Sequence, residues 1–574
     1  MKECRFQLTY IADGQLHRTC GKAQEQQPFE TEHFSLMTQY EKGRVRVRIL
    51  PKEPVSFTQF EMVFRYPYQP DSRVFVNGYQ SWTDSKEYFV TDRMTHLSPL
   101  SKAWIKEMSL DKSGDYTFHD YPKTSGVFHG YSYSYVRNGE TVDLFGSMTE
   151  RGGYTIFNFD CNRNLLIVEK DLEGVVMEEP YDAVDIVHLR GGFDQVFDRY
   201  FQLMEIPKPR VQHKCGYTTW YNYYPHINEK IVTDDLEALA KVPEQIDIFQ
   251  IDDGYQTAVG DWLSTDPEKF PNGMKAVADQ IHSKGMLAGL WLAPFGCEYH
   301  STIAEKHPEW LIKNEKGKPV VAGLNWGGFY AIDFNHPEAA QYIRNCFDVI
   351  LNEWGYDMVK LDFLYAACIL PQYNKSRGQL MCEAMDFIRD CVGDKLILGC
   401  GVPLAPCYGK VDFCRIGADV CLDWKPTLHG YLTHREDATT KNAVNNTIFR
   451  RQLDGRAFCN DPDVFLLRDY NMQLNMTQRK IIAKVNKIFG NLLFISDNVD
   501  RYDAEQMAVF QDTLKTSDTK VLSAQCRMNY MSHRIVHHGL GNYALPERRM
   551  RPPKHSCICR ATMWPLRSRA MMLR

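Results

Sequence analysis

Aspartates recur in this chain at the ends of short apolar runs, and the chemistry they suggest is acid–base or nucleophilic work on an acetal. In DMVKLDFLY (357–365), Lys360 and Asp362 sit two residues apart in an otherwise apolar segment. The alternation of a strand puts both side chains on one face. A cation beside Asp362 suits an ionised nucleophile. In RIGADVCLDW (415–424), Asp419 stands among small Gly417, small Ala418 and apolar Val420, a setting that suits a proton donor with open approach. When one carboxylate attacks an anomeric carbon and another protonates the leaving oxygen, a glycosidic bond breaks; retention needs the two only ~5 Å apart, and inversion a wider gap for water. Asp252-Asp253, followed by Gly254-Tyr255, offers acceptors for two neighbouring hydroxyls. A divalent metal held with Asp461 and Asp463 is the other use of those acids. Trp220, Trp291 and Trp424 are candidate platforms for sugar faces. A single Asp is more often a turn or helix cap, and a single Trp is more often packed in a core. The recurrence carries the argument.

Strand-like runs position these residues: GYTTWYNYY (216–224), DIFQIDDGY (247–255), MLAGLWLAPF (286–295), DMVKLDFLY (357–365), KLILGCGVP (395–403), DFCRIGADV (412–420), RAFCNDPDVFLL (456–467) and NLLFISDN (491–498). Amphipathic helices alternate with them. The helix after His336-Pro337 has apolar positions Ile343, Cys346, Phe347, Ile350, Leu351 and Trp354 and stops at Gly355. Segments 274–285 and 380–393 also read as helices closed by glycine. Eight strand–helix units imply a (β/α)8 barrel, a TIM barrel, whose active site lies at the C-terminal strand ends. There stand Trp220, Asp252, Asp253, Trp291, Asp362, Asp419, Asp461, Asp463 and Asp497. An open doubly wound sheet is the alternative, but no G-x-G-x-x-G loop supports it.

Residues 1–205 read as a β-sandwich: GRVRVRIL (43–50) alternates at period two, and other strand-like runs follow between Asn, Asp and Gly. EIPKPRVQHK (205–214) reads as a linker, and the catalytic barrel is expected over 206–510. Residues 511–574 are expected to be an irregular basic tail, disordered or non-native; its last 48 residues hold one acid, Glu547, against ten Lys and Arg.

The 574 residues call for two or three domains. A net charge of −5 argues against nucleic acid as a partner. No apolar run is long enough for a membrane span, and the N-terminus lacks the apolar stretch of a secretory signal. Seventeen scattered cysteines without a paired C-x-x-C then read as reduced thiols of a cytoplasmic protein. Oligomeric state is not encoded legibly.

QIDDGYQ (250–256), GDW (260–262), KFPNGMKAVADQIHSKGMLAGLWLAPF (269–295), VKLDF (359–363), CRIGADV (414–420) and NDPDVFLLR (460–468) resemble the α-galactosidases of glycoside hydrolase family 36. FVNGYQSW (75–82) is similar to the motif of that family's N-terminal sandwich. The resemblance covers about residues 30–510. It implies an N-terminal β-sandwich, a (β/α)8 barrel and a C-terminal β-domain, the last truncated or replaced here, and hydrolysis with retention of terminal α-galactosides such as melibiose and raffinose. It implies Asp362 as nucleophile and Asp419 as acid/base. Asp252 and Asp253 would hold galactose hydroxyls, and Trp220, Trp291, Lys360 and Arg415 would line the pocket, with Trp82 reaching it from the sandwich. No metal or organic cofactor is implied, and the partner is a small oligosaccharide. Where longer relatives carry Ser-Asp-Asn, this chain has Gly-Ala-Asp-Val, which leaves open an α-N-acetylgalactosaminidase. A raffinose-synthase-like transglycosylase and a catalytically impaired sugar-binding relative also stay open.

Overall fold

The structure, a computed structural model, describes residues 3–23, 27–95, 99–107, 109–242, 246–424, 434–516, 519–527, 530–537 and 540–543. The chain divides into two units, Met1–Asp518 and Thr519–Arg574.

The first unit begins with two antiparallel sheets. One has six strands in the order 15–23, 4–12, 56–65, 165–170, 155–160, 127–131; the other has eight, in the order 29–30, 34–41, 44–51, 181–191, 141–147, 133–138, 73–76, 86–89. The strand Arg44–Pro51 shows why these segments pair as they do. Its Val45, Val47 and Ile49 are buried in the core between the sheets, beside Phe6, Phe60 and Met62. Its arginines face outward, and Arg44 and Arg46 both pair with Asp185 on the neighbouring strand. A one-residue slip would exchange the two faces, so burial pins the register. The helix Phe193–Leu203 closes the sandwich's second sheet, with Val196, Phe197, Tyr200 and Phe201 buried.

Eight parallel strands follow: β1 Lys214–Thr218, β2 Ile248–Ile251, β3 Leu287–Leu292, β4 Met358–Leu361, β5 Leu396–Gly399, β6 Phe413–Arg415, β7 Cys459–Asp461 and β8 Leu492–Ile495. Each pairs with the next from β1 to β7, and β8 pairs with β1. Between β7 and β8 the Asn491 N–H donates to the Asn460 carbonyl at 3.0 Å, which leaves the barrel nearly closed. All eight expected strands are present, but shorter than their apolar runs. Residues 220–223, for instance, turn into helix directly after β1. The strand runs overshoot because the same apolar composition continues into the rim turns. The expected helices stand at Gly273–Ser283, Pro337–Asp348 and Arg377–Val392. Pro337 opens the second, where a missing N–H costs nothing.

Between β3 and β4 a small antiparallel sheet, 296–298, 329–331 and 321–323, rises over the mouth. In the second unit, Thr519–Arg527, Tyr530–His537 and Leu540–Tyr543 pair as an antiparallel meander. This corrects the expectation of an irregular chain over 519–543. Polar alternation with few large apolar residues hid the strands. Residues 544–574, the rest of the expected tail, lie outside the described residues. No helix among the described residues is long and apolar enough to cross a membrane.

Candidate active site

The short strands of the barrel end where the singled-out side chains begin. Asp362 follows β4, and its neighbour Phe363 takes a left-handed backbone, φ +52°. That turn aims the Phe363 N–H at Asp362 Oδ1, 2.9 Å away, while Trp291 Nε1–H donates to Oδ2 at 3.3 Å. Burial pushes the Asp362 carboxyl above its usual range, and the charge of Asp419 adds to this; Lys360 pulls the other way without prevailing. The ion pair of Lys360 is with Asp252, whose Oδ2 it reaches at 2.8 Å, and not with Asp362 as the sequence suggested. The face of β4 was read correctly. The nearest carboxylate lies on β2, which is invisible to spacing along one strand.

Asp252 also receives Gln250 Nε2–H at 2.6 Å and Thr218 Oγ–H at 3.3 Å on that same Oδ2, and its own Oδ1 accepts the Asp253 N–H. Asp253 is fixed by two donors, Trp326 Nε1–H at 2.7 Å and Gln256 Nε2–H at 2.6 Å. Its carboxyl is pushed up to about 6, chiefly by burial, with Asp252 adding to the shift. In both acids each carboxylate oxygen is held by at least one donor, so the pair is fixed at the end of β2.

Beyond β6, Arg415 is buried and donates through Nη2 to Asp419 Oδ1 at 2.5 Å, and the same nitrogen lies 2.7 Å from Asp463 Oδ2. Tyr221 hydroxyl donates to Asp463 Oδ2, and the Val420 N–H reaches the same oxygen at 2.8 Å. Burial lifts Asp463 to about 7, against the pull of Arg415. Asp461 is lifted by burial too, with Arg415 and Lys360 opposing. Asp419 itself is 46% exposed, open to the mouth. Gly417 and Ala418 were read as room around the sugar. A Cβ on Gly417 would stand 3.3 Å from both Ala443 Cα and Asn446 Cβ, so its smallness is used by the packed helix Thr440–Phe449. Ala418 is buried as well.

The aromatic wall is continuous. Trp291 lies edge-on to Trp262 at 5.7 Å and against Trp326 at 5.9 Å; Trp326 meets Phe363 at 5.1 Å, and Phe363 meets Trp82 at 5.3 Å. Trp82 therefore does reach the barrel from the sandwich. Its indole Nε1 is buried without a partner among the described residues. Gly401 makes this approach possible: with φ +56°, its absent Cβ would sit 2.8 Å from the Trp82 ring. Trp220 is edge-on to Tyr224 at 5.3 Å and packs against the cluster that holds Tyr221 and Val420; the side chain that joins the ionic cluster is Tyr221. Asp497 serves structure, accepting Leu467 N–H, Arg468 N–H and Tyr502 O–H on Oδ2. With Asp252 on Lys360 and Asp463 on Arg415, the four acids weighed as metal ligands do not gather as a ligand set among the described residues.

Three residues escaped the sequence reading. Trp326 sits in a loop with no periodicity, and the Gly327-Gly328 that follows was its only signal. Tyr221 was masked by Trp220. Arg450 is buried, and among the described residues no carboxylate pairs with it. It donates through Nε to Asn77 Oδ1, through Nη1 to the carbonyls of Ser81 and Ile416, and through Nη2 to those of Gly78 and Gln80. Burial lowers its pKa to about 10. One side chain thus ties the FVNGYQSW loop to the turn that bears Asp419.

Paired rim carboxylates and an aromatic wall at the C-terminal mouth of a (β/α)8 barrel are the groups that cleavage of a glycosidic bond can use. A Melibiase family model matches residues 212–377. The α-galactosidase of Escherichia coli is 28% identical over 180 residues, 30% of this chain and 24% of that protein. The A type blood alpha-D-galactosamine galactosaminidase of Flavonifractor plautii is 34% identical over 137 residues, 22% of this chain and 12% of that protein. The solved structure of TtGalA, an α-galactosidase from Thermus thermophilus, in complex with stachyose, matches with a TM-score of 0.68 at 25% identity, covering 84% of this chain and 100% of that one. Over the matched residues the chain is similar to α-galactosidases and to the Melibiase family model, and the matches span a quarter or less of the length of the first two curated relatives.

Proposed function

We propose that the protein is a retaining α-galactosidase that hydrolyses terminal non-reducing α-D-galactosyl residues of oligosaccharides such as melibiose and raffinose. The observation that carries this reading is the placement of Asp362 and Asp419 after β4 and β6, close enough for one charge to raise the pKa of the other. Asp362 attacks the anomeric carbon as the glycosidic C–O bond breaks, and Asp419 gives its proton to the departing oxygen. Asp419 then takes a proton from water, the water oxygen bonds to the anomeric carbon, and the bond to Asp362 breaks. The donors on Asp362 hold it for attack and stabilise it again as a leaving carboxylate. Asp252 and Asp253 accept galactose hydroxyls.

The test is hydrolysis of para-nitrophenyl α-galactoside by the wild type, Asp362→Gly and Asp419→Ala, each with and without azide. The roles require that Asp419→Ala lose about 10²- to 10⁴-fold in kcat and that Asp362→Gly lose at least as much. Azide should give β-galactosyl azide with Asp362→Gly, by direct displacement, and α-galactosyl azide with Asp419→Ala, by capture of the covalent intermediate. The reverse pairing of products would exchange the roles. If the folded wild type turns over only the α-N-acetylgalactosaminide, the substrate assignment fails while the mechanism stands. Product transferred to added sucrose in preference to water would identify a transglycosylase instead.

A further inference from the structure

A second group of chemistry-bearing side chains lies in the sandwich, in contact with none of the rim residues. The hairpin 4–12/15–23 turns at Asp13-Gly14, both with positive φ, +52° and +70°. His33 immediately precedes the strand Phe34–Glu41, and Glu53 stands two residues after the strand Arg44–Pro51. These strands pair with each other, so His33 and Glu53 share one end of the eight-stranded sheet, whereas Asp13 belongs to the six-stranded one. One ligand atom from each of Asp13, His33 and Glu53 lies within 4.8 Å of those of the other two.

The group is built and not merely acidic. His33 is buried, with its ring edge-on to Tyr10 at 5.6 Å and its Nδ1 against Glu53 Oε1. His17, on the returning hairpin strand, stacks on Tyr10 and has its ring centroid 4.5 Å from that of His33. His17 is tethered only by a 3.3 Å contact from Nε2 to the Ala12 carbonyl. No lysine or arginine pairs with Asp13 or Glu53 among the described residues, so two carboxylates face a single imidazole. A divalent cation neutralises that excess. Imidazole nitrogen with carboxylate oxygen selects a borderline transition metal over Ca²⁺ or Mg²⁺, and three protein ligands with one open position suit tetrahedral Zn²⁺.

We propose that Asp13, His33 and Glu53 bind one Zn²⁺, with a water molecule in the remaining position, and that the ion pins the N-terminal hairpin to the opposite sheet. Such an ion acts on the folded state by mass action and takes no part in glycoside cleavage.

The untagged full chain is stripped with EDTA, dialysed and titrated with ZnCl₂, followed by calorimetry, elemental analysis and thermal melting. One Zn²⁺ per chain with a raised Tm is expected, and hydrolysis of the galactoside at a temperature well below the Tm should be unchanged by stripping. His33→Ala should abolish both binding and the Tm rise. Asp13→Asn keeps the turn, because asparagine tolerates positive φ, and should weaken Zn²⁺ by about 100-fold. Co²⁺ substitution guards against cysteine ligation: a site of His and carboxylate shows no thiolate-to-metal charge-transfer band. Failure of the stripped wild type to bind Zn²⁺ overturns the proposal, as does a thiolate band. So does a folded Asp13→Asn that binds as the wild type does. Each leaves the hydrolase reading untouched, since that is scored on Asp362 and Asp419.

Discussion

Arg450→Lys separates the charge of Arg450 from its geometry. The guanidinium satisfies five acceptors at 2.6–3.3 Å, four of them main-chain carbonyls. Of those four, Gln80 O keeps a second donor, the Thr83 N–H at 3.1 Å. The carbonyls of Gly78, Ser81 and Ile416 depend on the guanidinium. A lysine ammonium keeps the charge but has three protons from a single point, so at least two of five bonds are lost. At about 1.5 kcal/mol or more for each hydrogen bond to a charged group, the loss is about 3 kcal/mol of stability. The same bonds hold the Trp82 loop and the Asp419 turn in register, and a displacement of about 1 Å at a reacting group costs about 100-fold in rate. Urea unfolding should therefore show a lower midpoint. kcat/KM for the nitrophenyl galactoside should fall by about two orders of magnitude, mostly in kcat, with the pH profile keeping its shape. A lysine variant with wild-type kcat/KM and a wild-type urea midpoint refutes the tether. A stability loss with kcat/KM intact would mean that Arg450 holds the domains together without positioning the site.

Two further outcomes follow from the acids of the mouth. Trp326→Phe keeps an aromatic ring against Phe363 but removes the N–H that holds Asp253 down; Asp253, already about 6 through burial, moves higher. Loss of one charge-assisted bond, about 1.5–3 kcal/mol, should cut kcat/KM by roughly 10- to 100-fold, more at pH 5 than at pH 7.5; a loss equal at both pH values would reduce Trp326 to packing. Asp253→Asn should change the pH dependence of folding. A carboxyl raised in the folded state supports folding below its unfolded pKa of about 4, and that support is lost as pH rises through about 6. Urea titrations should thus show the variant gaining about 3 kcal/mol on the wild type between pH 4 and pH 7.5. The comparison cancels groups common to both proteins, such as buried His129, and a difference that does not vary with pH refutes the raised carboxyl.

The barrel was legible because its signals are local. A short apolar run such as MVKL or LLFI, closed by polar residues and in most units followed by a helix, recurs along the barrel, and each β-strand needs only its own run to be recognised. Strand ends were less legible. The hydrophobic run GYTTWYNYY continues past Thr218 because the rim turn is itself aromatic and, at Thr219 and Tyr221, buried. The small sheet between β3 and β4 was missed for the opposite reason. Its strands have three residues each, too few for any period to show.

Partnership was the part of the site that sequence could not give. Lys360 and Asp362 do share a face of β4, and that much follows from alternation. Yet the Lys360 ammonium chooses Asp252, 108 positions away, because neighbouring barrel strands bring β2 and β4 ends around one axis. Arg415 and Asp419, four apart, were legible as neighbours, whereas Asp463 and Tyr221 join that cluster only through closure of the barrel. The consequence is electrostatic. With Lys360 and Arg415 engaged by Asp252 and Asp463, Asp362 keeps only part of the cationic field that its own strand appeared to give it, and burial raises its pKa. A nucleophile raised in this way is a better proton acceptor and a poorer leaving group. That places the burden of breaking the covalent intermediate on the donors that face Asp362, among them the Phe363 N–H, the Trp291 indole and Cys400.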